Sequence, residues 1–222
     1  MTTKQPLARD IMAMRVAREF QDGYVVNLGI GIPTLASNYI PEGRTVTFHG
    51  ENGMLGYGPI LDDDQGDIDM INAGGQFVAP VPGMAFFHSA DAFAMIRGRH
   101  VDVAVLGALQ VSEQGDLANW MLPERGIGNV GGAMDLAAGA KRIIVVMEHA
   151  TREGQAKIVR RCSYPLTSKG CVNLIVTDLA VIEVTPQGLL LTEIAPGYTA
   201  ADIQAVTEPR LTVSPDLREI TL

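Results

Sequence analysis

Leu7, Ile11, Met14, Val16 and Phe20 recur near helical spacing ahead of Gly23, so the pattern predicts an amphipathic opening helix over residues 6–22. Residues 24–28 read as a short buried strand. The glycines of Asn27-Leu28-Gly29-Ile30-Gly31-Ile32-Pro33 then give a tight turn into a second helix, because the N–H that proline lacks is unused in a first helical turn. Further apolar runs predict strands at 45–48, 101–109, 142–147, 172–177, 179–184 and 188–192, with helices at 89–97, 133–140 and 199–206. Thr185-Pro186-Gln187-Gly188 reads as a hairpin turn between the last two strands. Such alternation predicts an α/β fold whose mixed sheet carries helices on both faces. No internal repeat, Ser-rich linker or low-complexity segment divides the chain, so residues 1–222 are expected to form a single domain.

Charge and composition narrow the partners. Lys and Arg number 17 against 25 Asp and Glu, a net charge of −8, so no excess positive field exists to hold a nucleic acid or an anionic membrane. With 47% hydrophobic and 19% charged residues the chain is globular rather than disordered, and 24 glycines exceed the usual ~7% share. The longest apolar stretches, 103–109 and 143–147, fall far short of the ~20 residues a bilayer span needs. Cys162 and Cys171 match neither a C-x-x-C nor a zinc spacing, and the N-terminus lacks an apolar signal region, so a reducing, cytoplasmic setting is expected.

Several site types find no support. Gly29-Ile30-Gly31 lacks the third glycine of a dinucleotide fingerprint, and neither a phosphate-binding G-x-x-x-x-G-K-[ST] nor a G-x-S-x-G elbow occurs. His49, His88, His100 and His149 form no H-E-x-x-H pair, and each alone reads as a structural residue. The acidic run Asp62-Asp63-Asp64 with Asp67 and Asp69 lacks the order of a calcium loop and reads as a solvated loop. Two glycine clusters carry more. Gly50, Gly53, Gly56 and Gly58 surround Glu51 just after a predicted strand, which leaves its carboxylate open to a bulky ligand. Local composition alone fits a glycine-rich turn with a solvated Glu equally well. The second cluster, residues 126–132, leads into the helix at Ala133, where free N–H groups suit an anion and Asp135 suits the helix dipole.

Five ordered blocks, Asn27-Leu-Gly-Ile-Gly-Ile-Pro-Thr34, Glu51-Asn-Gly-Met-Leu-Gly56, Ile71-Asn-Ala-Gly-Gly75, Gly115-Asp-Leu-Ala-Asn-Trp120 and Gly131-Gly-Ala-Met-Asp-Leu136, together resemble the B (beta) subunit of family I 3-oxoacid CoA-transferases. Tyr164-Pro-Leu-Thr167 and Thr177-Asp-Leu-Ala-Val181 continue the likeness, which runs from about residue 5 to residue 208. The resemblance implies a three-layer sandwich with a mixed, mostly parallel central sheet. It implies that Glu51 is the nucleophile, and that Gly29, Gly31, Asn52, Gly53, Gly131 and Gly132 belong to the oxyanion or CoA-binding surface. Gly50 stands where the family usually has Ser, which leaves orientation of the carboxylate to a backbone group, His49 or water. It further implies CoA transfer through a glutamyl-CoA thioester with no resident cofactor or metal, coenzyme A being a substrate. Succinyl-CoA with acetoacetate is the leading pair, with 3-oxoadipate or acetate as alternatives, and a separate A (alpha) subunit is expected to complete a heterotetramer. An acyl-CoA hydrolase or a noncatalytic CoA-binding module on the same scaffold are the readings from other classes.

Overall fold

The computed structural model describes residues 4–62 and 64–221. Its first half contains α1 (Arg9–Ala17), β1 (Val25–Leu28), α2 (Ile32–Leu35), β2 (Thr47–Gly50), β3 (Met54–Leu55), β4 (Ala85–Phe86), α3 (Ser89–Arg97), β5 (Val103–Leu106), β6 (Gln110–Ser112) and β7 (Leu117–Ala118). The second adds α4 (Ala133–Gly139), β8 (Arg142–Met147), β9 (Ile158–Val159), β10 (Val172–Thr177), β11 (Ala180–Thr185), β12 (Gly188–Ile194), α5 (Ala200–Ala205) and β13 (Leu211–Glu219).

Ten strands form one sheet in the order β13-β12-β11-β10-β8-β5-β1-β2-β3-β4, and its five central strands, β10 to β2, run parallel. Antiparallel hairpins extend it on both sides, and β13 returns parallel to β12. The inner runs are mostly apolar because both faces are covered, and β5, Val103–Leu106, is apolar and buried at every position. Val103 and Val105 of β5 pack with Met12 and Val16 of α1, and with Phe20 just beyond it, on one face. Ala104 and Leu106 meet Ile96 of α3 and Leu136 of α4 on the other, where β7-β6-β9 form a second small sheet. The architecture is thus the three-layer, mixed and mostly parallel α/β fold expected. No helix among the described residues is long and apolar enough to cross a membrane.

A buried ion cluster fastens α1 to the sheet. Arg15 Nε donates to Glu193 Oε2 at 2.7 Å and its Nη1 to Glu19 Oε1 at 2.7 Å, while Arg218 and Arg142 cover the remaining oxygens. Burial alone would raise the carboxyl pKa values of Glu19 and Glu193, but the arginine contacts outweigh it and hold both below the ordinary value. Their contribution is therefore present above about pH 4.5 and lost as the pH falls through the depressed folded values. Glu193→Gln is expected to cost about 3 kcal/mol at neutral pH, read from urea unfolding, and to flatten the acid limb of the stability curve. An unchanged acid limb would show that the cluster contributes nothing.

Several element boundaries depart from the sequence pattern. The opening helix spans Arg9–Ala17 rather than 6–22, because Leu7 N–H is taken by the Asp178 carbonyl at 2.8 Å and the lead-in stays extended. The helix after Pro33 is one turn, continued by a 3-10 turn at Ala36–Tyr39. The strand expected at 45–48 runs Thr47–Gly50, so His49 and Gly50 belong to the sheet. The run 101–109 breaks at Gly107, and its remainder feeds the second sheet. Thr185 and Gly188 close the predicted hairpin. Asp62, Asp64, Asp67 and Asp69 are exposed, and Asp63 lies outside the described residues.

Candidate active site

The parallel strands β1, β2 and β5 end side by side at Leu28, Gly50 and Leu106. Side chains and backbone just beyond these ends open into a crevice, as open α/β sheets favour. The cleft here is about 420 Å³ and is lined by Gly29, Glu51, Asn52, Asn119, Gly131 and Gly132 among others. Glu51, half-buried, follows β2 directly.

One side chain reaches the Glu51 carboxylate from the neighbouring strand. Asn27 Nδ2 donates to Glu51 Oε2 at 3.1 Å, and the same nitrogen lies 3.0 Å from the His49 carbonyl and 3.1 Å from His49 Nδ1. Asn27 is 0% exposed, and its Oδ1 is a buried side-chain oxygen with no hydrogen-bond partner among the described residues. His49 Nε2 faces the Ala92 carbonyl of α3 at 3.2 Å, which assigns the ring proton to Nε2 and leaves Nδ1 an acceptor. Burial lowers the His49 pKa and outweighs the pull of Glu51 and of backbone carbonyls, so the ring is neutral at pH 7. Beneath, Tyr57 stacks on Phe48 at 5.6 Å, and burial together with Glu51 raises its phenol pKa.

The second glycine cluster forms the opposite wall. A Cβ on Gly132 would stand 2.7 Å from Glu51 Oε1, so the carboxylate rests against bare backbone where α4 begins. Asp135 of α4 pairs with Arg97 Nε at 2.7 Å and so ties α4 to α3. Trp120 holds the approach segment, with Asn129 N–H donating to the Trp120 carbonyl at 2.8 Å.

The glycines singled out in the sequence divide into two groups. Gly29, Gly131 and Gly132 line the cleft with Glu51 and Asn52, whereas Gly31 faces an adjoining cavity of about 200 Å³. Gly53 is not at the cleft. Its φ of +108° and a virtual Cβ only 2.0 Å from the Phe87 carbonyl give it a turn-forming role. Of the groups expected to orient the carboxylate, neither a backbone group nor the His49 ring hydrogen-bonds it among the described residues, and the contact comes from Asn27, which sequence reasoning passed over. Its signal was a polar residue inside the buried run Val25-Val26-Asn27-Leu28. The other histidines lie elsewhere: His88 caps α3, His100 is exposed, and His149 sits in the core between Thr177 and Thr207.

The coenzyme A transferase family profile matches residues 9–205. The acetate CoA-transferase subunit beta of Escherichia coli K12 is 48% identical over 95% of this chain and 96% of its own length. The mitochondrial succinyl-CoA:3-ketoacid coenzyme A transferase 2B of Mus musculus is 52% identical over 95% of this chain, which spans 41% of that longer protein. In fold, an acyl-CoA transferase apoenzyme of E. coli O157:H7 superposes with a TM-score of 0.75 at 22% identity, covering 100% of this chain and 45% of that one. With a glutamate at the strand ends, a glycine wall against it and matches of this length, the chain belongs to the coenzyme A transferase family, among its family I B (beta) subunits.

Proposed function

We propose that the chain supplies the nucleophile of a 3-oxoacid CoA-transferase, and that the nucleophile is Glu51. The observation that carries this reading is the placement of the Glu51 carboxylate, held on one side by Asn27 Nδ2 at 3.1 Å and bare on the other against Gly132 in an open cleft. Glu51 attacks the thioester carbonyl of an acyl-CoA, CoA thiolate leaves, and a mixed anhydride forms. The thiolate then attacks the glutamyl carbonyl, releasing the first acid and leaving a glutamyl-CoA thioester. The incoming acid reverses both steps, so atoms balance without a resident cofactor or metal.

A carboxylate is a weak nucleophile, and two resources offset this. Preorganised donors aimed at the tetrahedral oxyanion contribute about 3 kcal/mol each, and the remote parts of CoA contribute binding energy. In this reading such donors come from the backbone of Gly131 and Gly132, which lines the cleft with Glu51.

An A subunit is expected to complete the site and to make a heterotetramer. The cleft lining includes Ile30 at 67% and Val130 at 38% exposure, apolar surface suited to a protein partner. Succinyl-CoA and acetoacetate are the favoured substrates. Relatives named for acetate, 3-ketoacid and 3-oxoadipate substrates are nearly equally similar to the chain, so acetate and 3-oxoadipate are the alternatives to acetoacetate.

The test is to incubate the co-expressed complex with succinyl-CoA and no acceptor, then to digest it and weigh the peptide containing residue 51. A CoA adduct on Glu51, discharged by added acetoacetate, is expected. An adduct on another residue, or CoA released by water at the full rate without acceptor, overturns the reading.

A further inference from the structure

We propose that His49 is a positioning residue, which holds the Asn27 carboxamide with Nδ2 rather than Oδ1 facing the Glu51 carboxylate. The inference rests on the reading of Glu51 as nucleophile and adds a residue that never touches substrate.

Asn27 Nδ2 carries two hydrogens and faces three acceptors: the His49 carbonyl at 3.0 Å, with His49 Nδ1 and Glu51 Oε2 each at 3.1 Å. Its Oδ1 is buried without a hydrogen-bond partner among the described residues, an arrangement that costs free energy and is kept only where something enforces it. Reversing the amide would set Oδ1 against all three acceptors. The enforcement is therefore electrostatic and local.

Glu51 cannot supply it throughout turnover. Once its carboxylate is consumed in an anhydride or thioester, its oxygens lose their negative charge and become weaker acceptors. The His49 acceptors do not change. One Asn27 hydrogen stays on the His49 carbonyl, and the other shifts its direction from Glu51 towards Nδ1 and back, with no N–H bond broken. The imidazole can serve because its own proton is anchored on the Ala92 carbonyl at 3.2 Å and the ring is 1% exposed. β1 brings Asn27 and α3 brings that carbonyl, so two elements packed on β2 fix the tautomer together.

Two isosteric variants separate this from a role in packing. His49→Asn places an amide oxygen where Nδ1 sits and abandons the Ala92 contact, whereas His49→Gln reaches Ala92 and leaves nothing at the Nδ1 position. In the co-expressed complex, H49N is expected to keep kcat within about threefold of the parent. H49Q is expected to lose about tenfold or more in kcat with KM changed by less than about twofold. Adduct formation on Glu51 should slow in the same order. Equal kcat values in the two variants, or H49Q the faster, overturns the proposal. Glu51→Gln assayed in parallel keeps the two readings apart: an inactive E51Q beside equal H49N and H49Q defeats only the role of His49, and an active E51Q defeats both.

Discussion

Glu51→Gln is expected to lower transfer by at least about 10⁴-fold and to abolish the CoA adduct, because an amide has no anionic oxygen to attack a thioester. The fold has little reason to object, since Asn27 Nδ2 at 3.1 Å can donate to an amide oxygen as it does to the carboxylate. Glu51→Asp retains the charge but withdraws it by one methylene from the wall at Gly132, and a misplacement of that size costs about 10²-fold. Stopped transfer assays on the complex, with intact-mass analysis to exclude deamidation of the Gln variant, read both. Transfer by undeamidated E51Q at the parent rate would remove Glu51 from the chemistry.

Gly132→Ala is the second large effect. At φ −86° and ψ 0° the backbone accepts alanine, so no conformational strain is introduced. The new methyl, however, lies 2.7 Å from Glu51 Oε1 and 3.2 Å from its Cγ, so the carboxylate must swing or the start of α4 must retreat. A loss of about 10²-fold in kcat is expected with a melting temperature changed by only a few degrees. Activity within about threefold of the parent would mean that Gly132 does not bound the reacting carboxylate.

How far the residues announce this site depends on which contacts are local. Glu51 stands out because its glycine neighbours sit beside it in the chain, and Gly131-Gly132 because they precede a helix, but the ordered blocks of the family resemblance are what single them out as a site. Asn27 and His49 were not paired by any pattern, since they meet only through the parallel register of β1 against β2, across 22 residues. The same limit applies to the fold. The inner parallel strands read clearly as apolar runs, whereas β13 went unseen because Leu211–Glu219 is mostly exposed and contains Pro215, a residue that an edge strand tolerates. Nor does the apolar run 101–109 change in polarity where it leaves one sheet for another, and only Gly107 marks the departure. Gly53 errs the other way: it belongs to the conspicuous cluster yet serves the turn rather than the cleft.

Trp120 is the chain's one tryptophan, and its indole lies against Gly128, in the same segment as the cleft residues Asn129 and Gly131. The protein therefore carries an optical reporter beside the candidate cleft. Intrinsic emission excited selectively from the indole, and not from the five tyrosines, can follow ligand arrival there in real time with no dye attached.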